Sequence, residues 1–246
     1  MTRADRPVAL VTGSASGIGA GIARRLADDG FAVAVHSRDS VASGTALAAS
    51  IGGRYLRADL ADEGQARALA AAAIGWRGRL DVLVNNAGIS RPVAHADLAA
   101  APPAQWRELL EVNLIAPWTL VTECADALAR SDRDGGGAIV NITSHAGVRP
   151  KGASIPYAAS KAALNHVTLL LAASLGPGVR VNAVAPGLVD TPLTLDWAGA
   201  RALWAESAPM RRAARPEDVA DMVSALLANS YVTGQIVTLD GGLHLR

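Results

Sequence analysis

A chain of 246 residues, 50% of them hydrophobic, is long enough to bury a substantial core as one or two domains. Lys and Arg number 23 against 22 Asp and Glu, a net charge of +1, so charge gives no ground for a nucleic-acid or acidic-membrane partner. The single cysteine, Cys124, excludes an internal disulfide, and no apolar run approaches the ~18 residues of a membrane span.

Residues 8–12 form a short apolar run ending at a glycine and predict a buried strand. A helix over 17–29 follows, closed by Gly30, and then a strand over 31–36. The alternation continues with a helix at 41–51, a strand at 54–57, a helix at 62–76 and a strand at 80–84. Residues 86–103 read as a long connection, and 104–130 as one long helix. A glycine turn at 135–137 leads to the fifth strand, which ends before Ser144. A loop over 144–155, a helix to about Leu175 and a strand at 179–184 come next. Residues 186–215 read as long and irregular, and a helix at 216–228 and a strand at 235–239 close the chain. Strands alternating with helices predict a doubly wound parallel seven-stranded sheet, helices on both faces, in one domain over 1–246. With aromatics at 4%, its core is Ala, Val, Leu and Ile. Cys124 reads as a small buried hydrophobe. The N-terminal stretch lacks the apolar run of a signal peptide, which with the lone cysteine suggests a cytoplasmic protein.

Three patterns carry chemistry. Tyr157 and Lys161 are four apart, on one face of a predicted helix. A lysine ammonium beside a phenol lowers its pKa from near ~10 and makes it a usable acid/base. Ser144 stands at a strand end, where open α/β sheets hold ligands. Gly13, Gly17 and Gly19 follow a strand and open a helix, a turn that lets backbone approach a pyrophosphate at the helix N-terminus. A helical Pro117 cannot donate to the carbonyl of Asn113, so the helix is expected to kink there and leave that carbonyl free. Such a carbonyl can hold a water, as a proton relay to Lys161, or mark a structural kink only. The five histidines show no metal-ligand spacing.

Thr12-Gly13-Ser14-Ala15-Ser16-Gly17-Ile18-Gly19, Asn85-Asn86-Ala87-Gly88, Asn113, Ser144, Tyr157, Lys161 and Pro186-Gly187 occur in an order and spacing that resembles the short-chain dehydrogenase/reductase family. The likeness runs from Pro7 to Asp240-Gly241-Gly242. It implies a Rossmann-type fold and hydride transfer between a nicotinamide and a carbonyl or secondary alcohol. Ser144 would hydrogen-bond the substrate oxygen, and Tyr157 would give or take the proton. Lys161 would lower the Tyr157 pKa and hold the nicotinamide ribose, and Asn113 would complete the tetrad. For the cofactor the resemblance points to Gly13, Ser14, Ser16, Gly17, Ile18 and Gly19, to Asp59 and Leu60 by the adenine, and to Asn86, Ala87 and Gly88. Pro186, Gly187 and Val189 would face the nicotinamide, and Thr191 would add a hydroxyl contact. Ser37 stands where NAD binders carry an acid, and Arg38 follows it, which favours the 2′-phosphate of NADP(H). Asp39, within reach of a ribose, and Ser16, at a position often basic, leave NAD(H) open.

His145, Leu188 and Trp197 are expected at the substrate, on a loop at about 188–212. Trp197 and Trp204, seven apart, would form a lid or pack on a neighbouring subunit. The resemblance implies a homotetramer built through the two central helices and the last strand. Within the family the pattern resembles the 3-oxoacyl-acyl-carrier-protein reductases. Those would carry basic residues at the ends of the central helices, where this chain has Asp132, Asp134 and Gly176-Pro177-Gly178. A reductase or dehydrogenase of a free ketone, sugar or alcohol is the alternative. A dinucleotide-binding sensor would commonly lack a tetrad residue, and all four are present.

Overall fold

A computed structural model describes residues 6–245; residues 1–5, most of the N-terminal stretch read above for a leader, and Arg246 lie outside the described residues. The strands are β1 (Val8–Val11), β2 (Ala32–Ser37), β3 (Arg54–Arg57), β4 (Val82–Asn85), β5 (Gly137–Ile142), β6 (Val179–Pro186) and β7 (Ile236–Leu239). They form one sheet in the order β3-β2-β1-β4-β5-β6-β7, with every pairing parallel. Parallel neighbours need crossovers, supplied by α1 (Gly17–Asp28), α2 (Val41–Ser50), α3 (Glu63–Arg77), α4 (Pro103–Leu110), α5 (Ala116–Ala129), α6 (Ile155–Leu175) and α8 (Pro216–Ala228).

The side-chain period of two splits the core. Val8 and Leu10 of β1 face α3, α5 and α6 through Leu69, Leu120 and Leu171. Ala9 and Val11 face α1, α2 and α8 through Ile22, Leu26, Leu47 and Val223. Both faces are covered, so the central strands are apolar without alternation, and each buried Val or Leu contributes roughly 1.5–3 kcal/mol. The strand order reverses between β1 and β4, and the crevice beyond their carboxyl ends is where such sheets bind ligands.

Two sequence expectations need correction. The helix expected over 104–130 is not continuous: a π-helical turn, Glu111–Ile115, separates α4 from α5. The N–H of Ala116 reaches back five residues to Glu111, and the widened turn absorbs the donor that Pro117 lacks. The stretch 186–215, expected to be irregular, contains α7 (Ala198–Ser207). Its run of good helix formers, Ala200 to Glu206, outweighs the flanking proline and glycine signals.

Candidate active site

The crevice is shaped first by the turn after β1. Gly13 has φ +62°, and a Cβ on it would lie 2.8 Å from the Ala87 backbone. A Cβ on Gly19 would lie 2.4 Å from the Gly13 carbonyl and 2.5 Å from the Asn86 amide. Asn86 latches the turn, its Nδ2 donating to the carbonyls of Thr12 (2.8 Å) and Gly13 (3.0 Å). Thr12 Oγ1 accepts from the N–H groups of Asn86 and Ala87, both at 3.0 Å. The start of α1 carries no acidic residue, so its positive end is open to an anion. Gly13, Gly19, Asn86 and Ala87 line a cleft of about 400 Å³, together with Ser16, Gly17, Ile18, Ser37, Arg38, Asp59, Leu60, Gly88 and Thr191. A cradle that side chains would fill, at a helix N-terminus, fits a dinucleotide pyrophosphate.

Ser14 differs from its expected place. It is fully buried, and its hydroxyl donates to the Val11 carbonyl (2.7 Å) and accepts from the His36 N–H (3.0 Å). The Ser14 hydroxyl therefore ties β1 to β2, and its side chain does not line the cleft.

His36 was not singled out from the sequence, yet it underlies the glycine turn. Its Nδ1 accepts from the Gly13 N–H at 3.0 Å, so Nε2 carries the proton and donates to the Ala58 carbonyl at 3.1 Å. Burial, only partly offset by that carbonyl and Asp59, pushes its pKa down to about 4. Glycine recurrence gives no hint of such a side chain. The one signal is a polar residue inside the apolar second strand.

At the end of β2, Ser37 shares a hydrogen bond of 2.9 Å with the Tyr55 hydroxyl. Arg38 lines the cleft, is exposed and pairs with Asp39 at 2.7 Å. Arg57, next door on β3, donates to the Arg38 carbonyl at 3.0 Å, a second guanidinium that the sequence reading missed.

The π-helical turn points Asn113 inward, fully buried. Its Oδ1 accepts from the Ile89 N–H (2.9 Å), and its Nδ2 donates to the Ile89 carbonyl (3.0 Å) and to Ser160 Oγ (3.1 Å). Ser160, also missed, donates in turn to the Tyr157 carbonyl at 2.7 Å. Asn113 thus fixes both the chain after β4 and the first turn of α6. Ser154 caps that helix by accepting from the Tyr157 N–H at 3.4 Å.

Tyr157 and Lys161 do share a face of α6, and burial works against the expected lowering of the phenol. Burial pushes the phenol up, against a lowering hydrogen bond from the Ser144 hydroxyl. Lys161 Nζ donates to the Ile142 carbonyl at 3.0 Å, and burial lowers its pKa to about 8. A Cβ on Gly88, which lines the cleft, would lie 3.3 Å from that nitrogen and 3.1 Å from Asn113 Oδ1.

Ser144 and Tyr157 line a second pocket of about 240 Å³. His145, Pro186, Gly187 and Leu188 border it, with Leu203 and Trp204 of α7 and Leu243. Trp197 is not among its lining residues, because it sits at the N-cap of α7, one turn before the face that meets the pocket. Trp204 holds that place. Val189 is buried and bridges to Ala214, which pins the outgoing loop, and Asp190 pairs with Arg201. Among the described residues no group of three His, Cys, Asp or Glu side chains is placed to hold a metal, and no helix is long and apolar enough to cross a membrane. Burial raises the Cys124 pKa to about 12, which leaves it an unreactive thiol.

Residues 13–244 match a family model described as enoyl-(acyl carrier protein) reductase. A protein of Streptomyces violaceoruber, named as ketoacyl reductase 2 of the granaticin polyketide synthase, is 49% identical over 98% of this chain and 97% of its own. A 3-ketoacyl-(acyl-carrier-protein) reductase from Brucella melitensis, solved with NADH, superposes with a TM-score of 0.88 at 31% identity, covering 96% of this chain and 98% of its own. A blue fluorescent protein from a metagenomic library, solved with NADPH, superposes with a TM-score of 0.85 at 36% identity, covering 96% and 97%.

Proposed function

The chain belongs to the short-chain dehydrogenase/reductase family of nicotinamide-dependent oxidoreductases, and on that premise we propose that it is an NADPH-dependent ketoreductase whose substrate carbonyl lies between Ser144 and Tyr157. The nicotinamide supplies the hydride. The remaining work falls to the chain's own residues. Ser144 donates a hydrogen bond to the carbonyl oxygen and Tyr157 delivers the proton to it. A phenol pushed up by burial stays protonated at neutral pH, which suits an acid in the reductive direction. Lys161, neighbour to Gly88 in the cleft, holds the cofactor ribose, and Asn113 keeps the first turn of α6 in place. In the cleft, Gly13, Ser16, Gly17, Ile18 and Gly19 take the pyrophosphate, Asp59 and Leu60 the adenine side, and Asn86, Ala87 and Gly88 the adenosine. Pro186, Gly187, Val189 and Thr191 take the nicotinamide end. Arg38, with Arg57 behind it, supports the choice of NADPH over NADH.

The observation that carries the reading is the shared pocket: Ser144 and Tyr157, thirteen residues apart in sequence, line one cavity whose walls are mostly apolar. The likeness to a ketoacyl reductase over nearly the whole chain supports a 3-oxo substrate carried as a thioester. Lys151 at the pocket supplies a cation there for an acidic carrier, although the helix ends carry Asp132 and Asp134. The test pairs NADPH oxidation by acetoacetyl thioesters, free and carrier-bound, with Tyr157→Phe. That variant keeps NADPH affinity and loses ~10²- to 10⁴-fold in turnover, as the loss of a general acid predicts. Turnover retained in Tyr157→Phe would remove the mechanism. Failure of both thioesters beside rapid reduction of simple ketones would remove the carrier reading and leave the reductase.

A further inference from the structure

The Ser144–Tyr157 pocket holds a buried polar side chain that proton delivery does not employ. His145 is 5% exposed, and its Nε2 lies buried 3.3 Å from Oδ2 of Asp240, a close charge contact without hydrogen-bond geometry. Asp240 is 3% exposed and belongs to the chain end beyond β7. Its Oδ1 accepts from the Gly242 N–H (3.0 Å) and from His244 Nδ1 (2.9 Å), and its Oδ2 from the His244 N–H (2.8 Å). Burial alone would raise this carboxyl, but those hydrogen bonds outweigh it and hold it below the ordinary range, so it is ionised.

His145 therefore faces an anion on one side. Burial lowers its pKa, Asp240 opposes that, and Lys151, His244 and Arg149 lower it further, so the ring is neutral at neutral pH. A neutral imidazole has one proton, and a buried carboxylate beside Nε2 favours it there. Nδ1 is left as an acceptor, with no hydrogen-bond donor to it among the described residues.

Apart from Ser144, Tyr157 and Lys151 the surroundings are apolar. The Trp204 ring meets His145 edge to face, with centroids 6.3 Å apart and planes at 80°. Trp204 Nε1 donates to the Asp240 carbonyl at 3.2 Å, and a Cβ on Gly187 would come within 2.7 Å of the indole. Leu188, Leu203 and Leu243 complete the walls. An apolar cavity of ~150 Å³ takes a benzene, so about 240 Å³ takes a substituted ring.

We infer that His145, which lines the pocket with its Nε2 towards Asp240, sets substrate choice: its Nδ1 accepts a hydrogen bond from a substrate hydroxyl, so the site prefers hydrophobic ring ketones that carry a hydroxyl over ketones that do not. A ketone without that hydroxyl leaves the acceptor desolvated and unpaired, a stronger discrimination than a missing methylene provides. The inference rests on the reading of this pocket as the ketone site.

The test uses the full chain with NADPH and acetophenone, its 3- and 4-hydroxy derivatives and their methyl ethers. In the wild type, kcat/KM for a hydroxy ketone exceeds that for its methyl ether by roughly 5- to 10-fold, the worth of one neutral hydrogen bond. In His145→Phe the ratio falls to about 1, and in His145→Gln, which keeps an acceptor, part of it returns. His145→Leu repeats the test if the phenylalanine is not accommodated. The same ratio is read from calorimetric binding to the NADPH-bound protein. No wild-type preference in either readout, or a preference undiminished in His145→Phe and His145→Leu, overturns the inference. A binding preference that depends on His145, with no ketone reduced, sustains it and sinks the ketoreductase reading instead.

Discussion

His36 makes the stability of this protein depend on pH in a way that can be worked out. Its ordinary pKa of 6.5 falls to about 4 in the folded state, chiefly by burial. Between those values the unfolded chain binds the extra proton and the native state does not, so stability rises with pH across the window. The contribution is complete above pH ~6.5 and is lost as pH falls towards 4. A shift from 6.5 to about 4 corresponds to about 3 kcal/mol over the whole window, and about 2 kcal/mol is already gone at pH ~5. Protonation also removes the acceptor on Nδ1 that receives the Gly13 N–H, so the same event loosens the glycine turn. His36→Asn offers an oxygen near the Nδ1 position and cannot titrate. The assay is urea unfolding followed by circular dichroism, at one protein concentration, for both proteins at pH 7.5 and 5. Other buried groups titrate equally in the two, so the difference isolates His36. The wild type should lose about 2 kcal/mol more than His36→Asn on acidification. Equal losses, or an NMR titration of His36 near 6.5, would refute the reasoning.

Two further outcomes follow from surface features. Arg38→Ala should weaken NADPH binding roughly tenfold and leave NADH binding unchanged, because a 2′-phosphate loses its guanidinium partner; equal weakening of both in fluorescence titrations would show that Arg38 does not read the phosphate. The described chain leaves Trp118 of α5 49% exposed and Leu170 of α6 55% exposed, beside Ile115 and Leu169. We propose that these faces pair in a homotetramer, as apolar patches of this kind are usually covered; light scattering should show four chains, and a stable monomer would remove the proposal.

What the sequence disclosed depended on whether a signal was local. The βα alternation, the glycine turn and the Tyr157–Lys161 spacing are short-range patterns, and each appears where expected. The π-helical turn was half legible: Pro117 announces a missing donor, but a kink and a widened turn both answer it, and the choice falls to the clasp of Asn113 on Ile89. The Asn113–Ser160–Tyr157 chain reaches 47 positions along the sequence, from 113 to 160, and has no periodic trace. Trp204 rather than Trp197 reaches the pocket because α7 turns one face inward, and its helix was hidden among prolines and glycines. His145 could be seen to follow Ser144, but its carboxylate partner lies 95 residues on, at 240. Long-range polar contacts of this kind follow from the sheet order, which brings β5, β6 and β7 side by side.

The opposing pull of burial at Tyr157 and Lys161 follows from depth. An ammonium lowers a neighbouring phenol's pKa through its own charge, and that charge costs more to hold the further it lies from water. Here the lysine is 4% exposed and its one hydrogen bond is to a neutral carbonyl, so its pKa falls to about 8, while the phenol rises. Both shifts favour the uncharged forms. The pair is thus set to keep its phenolic proton until a carbonyl oxygen arrives to take it. What holds the lysine in so unfavourable a place is backbone: the Ile142 carbonyl at the end of β5. Beside its nitrogen stands Gly88, a lining residue of the cofactor cleft, so an anionic or hydroxyl-bearing ligand reaching past Gly88 would offset the burial, and the lysine gains from binding what it loses in folding.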